Sequence, residues 1–140
     1  MKKNKGQILV FEQVLLFVIG VAVLISTFSL FILYQNFYLT TASEDQLNQV
    51  KEYIFSNIVR LTKTKANASL VLNIPKTISN RYYKISLTNA YLNLSLEPND
   101  AYTLSSLSAL NESFNFSGRV ISTNGKVVLY KKDNWINLES

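Results

Sequence analysis

The spacing of apolar and polar residues divides this chain into three stretches of different period. From Ile8 to Leu33 nearly every residue is apolar, and Val14–Leu33 carries no charge. A helix of about 20 residues rises roughly 30 Å, one hydrocarbon core, so a membrane-spanning helix is predicted here. After Tyr34 the apolar positions thin to Leu47, Val50, Ile54, Ile58 and Leu61, with Glu44, Asp45, Gln49, Lys51, Glu52, Asn57 and Arg60 among them. Steps of three and four put the apolar set on one helix face. A single helix from Gln7 to Lys65 would measure about 88 Å. Ser43 followed by Gln46 has the form of a capping box, so a kink or restart near Thr40–Ser43 competes with a continuous helix. The basic stretch Lys63-Thr-Lys-Ala-Asn67 suits a helix C-terminus.

From Ala68 the period becomes two. Leu70, Leu72 and Ile74 alternate with Ser69, Val71 and Asn73 until Pro75 stops the run. Tyr83, Ile85 and Leu87 alternate with polar residues, and a short Asn89-Ala90 turn leads to Leu92, Leu94 and Leu96. After Glu97-Pro-Asn-Asp100, the stretch Ala101–Leu110 fits either a strand or a helical turn. Phe114, Phe116 and Val120 then precede Val127-Val128-Leu129, with Asn124-Gly125 between them as a two-residue hairpin signal. Five or six antiparallel strands follow, as a sandwich or an open barrel with one apolar face. A sheet this small is marginal alone, so the amphipathic helix face is expected to pack on it.

Charge adds orientation. Lys2, Lys3 and Lys5 precede the apolar run, which keeps that end cytoplasmic and sends the rest outside. Beyond Leu33 there are 11 basic and 8 acidic residues, a net charge of +3 (11 − 8). So weak and scattered a charge argues against nucleic acid as a partner. The chain has neither Cys nor His, which excludes disulfides, thiol chemistry and the usual zinc sites. No nucleophile elbow, phosphate loop or metal-ligand spacing occurs, so neither an enzyme nor a cofactor is expected. The leader also differs from a secretory signal: its apolar run is too long, and Ser26-Thr-Phe-Ser29 poorly matches a cleavage site.

Four Asn-x-Ser sequons, at Asn67, Asn93, Asn111 and Asn115, all lie beyond the apolar helix and are glycosylation candidates. Chance in a chain rich in Asn and Ser is the competing explanation. Asn93 and Asn115 fall on the polar side of their strands, where a glycan would spare the core. Tyr82, Tyr91, Tyr102 and Trp135 offer contact surface, although strand aromatics more often serve packing.

Lys5-Gly6-Gln7 directly before an apolar helix resembles the class III signal peptide of archaeal type IV pilin-like proteins. Ile74-Pro75-Lys76-Thr77-Ile78, followed by Tyr82-Tyr83-Lys84-Ile85, is similar to the start of the β domain in such proteins. The resemblance implies cleavage by a prepilin peptidase between Gly6 and Gln7, with Lys5 and Gly6 recognised and the helix kept as filament core. Many members read Gln-x-Ser-x-Glu after the cut. Here the run is Gln7-Ile-Leu-Val-Phe-Glu12, with Leu9 in place of Ser and the Glu one position late. That slip turns the carboxylate about 100° around the helix, which favours a minor or accessory subunit. Cleavage would free an ammonium at Gln7 able to pair with Glu12 of a neighbour; otherwise Glu12 and Gln13 sit solvated at headgroup depth.

The expected organisation is α+β: a leader (1–6), a transmembrane or filament-core helix (7–33), an amphipathic helix (34–66) and an extracellular antiparallel β domain (67–140). The expected function is a structural subunit of an archaeal pilus or archaellum-related filament. Its partners would be the membrane, prepilin peptidase and other pilin-like subunits. The alternative is a single-pass anchored β domain that binds an S-layer, a glycan or a partner ectodomain.

Overall fold

The computed structural model of the chain describes residues 3–96 and 101–140, and side chains from Ile8 onward. Helix α1 (Lys3–Thr62) is followed by seven strands: β1 (Ala68–Asn73), β2 (Tyr83–Leu87), β3 (Tyr91–Leu96), β4 (Tyr102–Ser106), β5 (Asn115–Ile121), β6 (Lys126–Lys132) and β7 (Trp135–Glu139). A helical turn, α2 (Ser108–Asn111), lies between β4 and β5. The chain forms two compact units, one up to Tyr38 and the other from Leu39 onward.

α1 has no break at Ser43. The residues before Ser43 are already helical, so no orphan N–H groups wait there for a cap. Its hydroxyl donates instead to the Leu39 carbonyl one turn back, at 2.7 Å. It also meets the Ser79 hydroxyl at 2.6 Å, accepting from it, since its own proton is already used. Ser79 and Asn80 both hold positive φ (49° and 60°) in a tight turn closed by reciprocal Ile78–Arg81 backbone bonds of 2.9 and 3.0 Å. The Ser43 contact thereby fastens the helix to this turn.

The strands form one open sheet in the order β1-β6-β7-β5-β2-β3-β4, antiparallel except for the parallel β5–β7 pair. It is neither a sandwich nor a barrel, because β1 and β4 stand at opposite ends and do not meet. The apolar face that a second sheet would cover is taken by α1. Leu47, Val50, Ile54, Ile58 and Leu61 are buried in one core with Leu72, Tyr83, Ile85, Leu92, Leu94, Val127, Leu129, Ile136 and Leu138. The helical period of three and four and the strand period of two thus meet at a single interface.

Polar side chains pin that interface at its margins. Thr103 donates to the Asn48 side-chain oxygen. Buried Lys131 reaches the Thr64 carbonyl just past the end of α1, and its ammonium lies 5.2 Å from the Phe114 ring centroid. Tyr83 donates to the Pro75 carbonyl at 2.6 Å, and burial pushes its phenol pKa up, which keeps it a donor. Ser122 accepts from the Tyr83 N–H and donates to the Lys76 carbonyl, fixing the same segment from below.

Asn124-Gly125 does not make the expected hairpin. It ends a 3-10 turn (Ser122–Asn124), with Gly125 at φ 63° donating back to Ser122. β5 and β6 cannot pair there because β7 lies between them. The true hairpin joins β6 to β7 through Asp133-Asn134, with Asp133 at φ 51° and Lys132 opposite Trp135. Between Ala101 and Leu110, strand and helical turn both occur, as β4 and α2.

Candidate functional site

The N-terminal unit presents an uncovered apolar wall. Its most apolar window has no buried residue, and Phe11, Phe17, Leu24, Phe28, Phe31 and Phe37 are all well exposed. Apolar surface on this scale is stable only when lipid or other protein covers it. The hydroxyls within it are already satisfied. Ser26, Thr27 and Ser29 donate to the carbonyls of Ala22, Val23 and Ile25 at 2.8, 2.8 and 2.9 Å. Between Val14 and Leu33 the wall therefore asks its surroundings for van der Waals contact and no hydrogen bonds. Gly20 leaves an open notch in it, since an added Cβ would meet nothing within 4 Å.

The expected processing residues Lys5, Gly6 and Gln7 are helical in backbone, and their side chains lie outside the described ones. Glu12 is exposed on the wall one helical turn from Ile8. Among the described residues Lys51 and Glu52 form an ion pair at 3.3 Å, and none is found at Glu12.

The four sequons are not equivalent. Asn67 is exposed, with its Oδ1 held at 2.8 Å by the Asp133 N–H, leaving the amide nitrogen outward. Asn111 is exposed on the α2 turn. Asn93 and Asn115 lie on the outer sheet face, as expected from their alternation, but both are half-buried. Asn93 faces Ser86 on β2 and Leu104 on β4, and its Oδ1 is buried without a partner. Asn67 and Asn111 are thus the two sequon asparagines open to solvent.

The outer sheet face departs from the packing role expected for its aromatics. Tyr82, Tyr91, Tyr102 and Trp135 are 53%, 44%, 68% and 58% exposed, and Tyr130 is similarly open. Their rings stand in solvent because α1 covers only the opposite face. Val71, Leu104 and Ile121 share this exposure. Tyr82 also borders a shallow groove with Asn80, Arg81, Lys84, Ile121 and Thr123. The helix takes the apolar face, as the alternation of Leu92, Leu94 and Leu96 with polar residues leads one to expect, and the outer aromatics are left open.

These features define an α+β protein whose N-terminal helix is long and apolar enough to cross a membrane and continues into the helix that packs on an open sheet. No family model, no curated protein and no solved structure matches the chain.

Proposed function

We propose that this protein is a pilin-like structural subunit, of the minor kind, in an archaeal type IV pilus or archaellum-related filament. Prepilin peptidase would cut after Gly6, and the apolar helix would assemble the mature chain with other pilin-like subunits. The observation that carries the reading is one continuous helix, Lys3–Thr62, with an uncovered apolar wall in its first part and a sheet packed on its second. A plain anchor has no need of such continuity, whereas a filament subunit uses the same rod first in lipid and then among neighbours. Burial at about 25 cal/mol per Å² makes a bundle of such helices strongly favourable over water. Lys2, Lys3 and Lys5 keep the leader cytoplasmic, and the sheet with its sequons faces outward.

Glu12 fits this reading if the Gln7 ammonium of an adjacent subunit pairs with it, since an ionised carboxylate within the bilayer costs on the order of 2.5–3.5 kcal/mol at the centre. The open notch at Gly20 would let a neighbouring helix approach closely. Shearing of cells is the test. The protein is expected in the sheared filament fraction, and Gly20→Ile, which its own chain accommodates, should shift it back to the membrane fraction. Wild-type protein confined to membranes after shearing would reject the filament reading.

The exposed aromatics support one second reading. Tyr82, Tyr91, Tyr102 and Trp135 supply the open contact surface that an anchored module would use against an S-layer, a glycan or a partner ectodomain. Retention in membranes together with binding to envelope material would favour it.

A further inference from the structure

Among the described residues, no strand pairs with the outer edge of β1 or β4. Sheet edges in soluble proteins are commonly blunted with lysine, proline or inward charges, because an open row of N–H and C=O groups templates another strand. β1 reads Ala-Ser-Leu-Val-Leu-Asn and β4 reads Tyr-Thr-Leu-Ser-Ser, without a charge or a proline in either. At the centre of each, an apolar side chain stands outward: Val71 is 58% and Leu104 50% exposed. No described strand covers either edge.

Strand directions make the two edges complementary. β1 is antiparallel to β6 and β6 to β7, while β7 runs parallel to β5. β5 is antiparallel to β2, β2 to β3, and β3 to β4. Following these relations across the sheet, β1 and β4 point in opposite directions. A second copy set alongside, same face outward, would bring its β1 antiparallel to β4, the slightly more stable arrangement. Val71 and Leu104 would then share the outer face and could cover one another.

Charge selects this pairing over the symmetrical one. The sequence flanking β1 carries Lys63, Lys65 and Lys76 and no acid. The sequence flanking β4 carries Glu97, Asp100 and Glu112 and no base. Pairing β1 with β1 of a second copy would oppose lysines, whereas setting β1 antiparallel to β4 turns the Lys65 end of β1 toward the end of β4 that leads to Glu112. We propose that copies of this chain join head to tail through their sheets, β1 of one subunit adding antiparallel to β4 of the next. This contact deepens the filament reading and rests on it to the extent that subunits stand side by side. Because the interface is heterologous, it propagates instead of closing as a dimer.

The absence of cysteine makes a clean test possible. Single-cysteine variants of the full chain in membranes would carry Ser69→Cys, Val71→Cys or Asn73→Cys on β1, or Tyr102→Cys, Leu104→Cys or Ser106→Cys on β4. Mixed in pairs and oxidised, β1 and β4 variants are expected to form disulfide-linked heterodimers severalfold above an Arg119→Cys control from mid-sheet. Productive pairs should share a constant sum of residue numbers, the signature of antiparallel register. Products no greater than the control, β1–β1 products exceeding β1–β4 products, or a constant difference of numbers would each overturn the proposal. The filament reading fails separately. Cross-linking with the leader uncut would reject that reading and leave edge pairing intact, while a processed N-terminus without cross-linking would do the reverse.

Discussion

Gly118→Val is expected to abolish cooperative folding of the unit that begins at Leu39. Gly118 lies on β5 between Leu87 of β2 and Leu138 of β7, on the face that packs against α1. Its φ of 136° is one that residues with a side chain rarely adopt. An added Cβ would lie 2.4 Å from the Leu138 carbonyl oxygen, 2.6 Å from the Leu138 Cβ and 2.7 Å from the Leu138 backbone nitrogen. Two of these three obstacles are backbone, within a strand paired on both sides, so no rotamer change relieves the clash. Backbone strain and overpacking together should cost more than about 3 kcal/mol. A domain whose whole stability is of order 5–15 kcal/mol loses a large share of it. Thermal unfolding of the full chain in detergent, followed by near-UV circular dichroism, should show the midpoint falling steeply or the transition vanishing. A shift smaller than about 4 °C would contradict this account of the β5–β7 junction.

The second large effect is expected from Ile54→Asp. Ile54 is fully buried at the middle of the apolar face of α1, between Val50 and Ile58. The new carboxylate would lie within a cluster of buried Leu, Ile and Val side chains. An uncompensated charge in such a core belongs among the substitutions costing more than about 4 kcal/mol. The helix would lift from the sheet, exposing both apolar faces. Tyr53→Asp, one residue away but 45% exposed, should stay within about 0.5 kcal/mol of wild type. Protease resistance of the two variants separates them: rapid digestion for Ile54→Asp, wild-type resistance for Tyr53→Asp. Equal resistance would mean that the helix does not hold the sheet.

Much of this architecture was legible because its apolar periods are clean. Leu47, Val50, Ile54, Ile58 and Leu61 all lie buried where their spacing put them, and so do Tyr83, Ile85, Leu87, Leu92, Leu94 and Leu96. What escaped was decided by long-range pairing. Ile136 and Leu138 alternate as a strand should, and Asp133-Asn134 is a fair turn, yet β7 went unassigned in a short C-terminal stretch. Its insertion between β5 and β6 is also what turns Asn124-Gly125 from a hairpin into the end of a 3-10 turn. Ser43 misled in a related way. A hydroxyl followed three residues later by Gln can cap a helix, but it can equally bond back along one, and only the helical residues before it decide. Of the candidate site, the apolar wall could be read directly. The exposure of Tyr102 and Trp135 could not, since Ala101–Leu110 fits two conformations and β7 has too short a pattern to be recognised.

The filament account depends on the helix being trimmed at its cytoplasmic tip before it joins its neighbours. Intact-mass and N-terminal peptide analysis of the protein from the cell surface tests this most directly. The account predicts that the mature chain begins at Gln7. A surface-localised chain still beginning at Met1 or Lys2 would contradict it and leave a permanently anchored module.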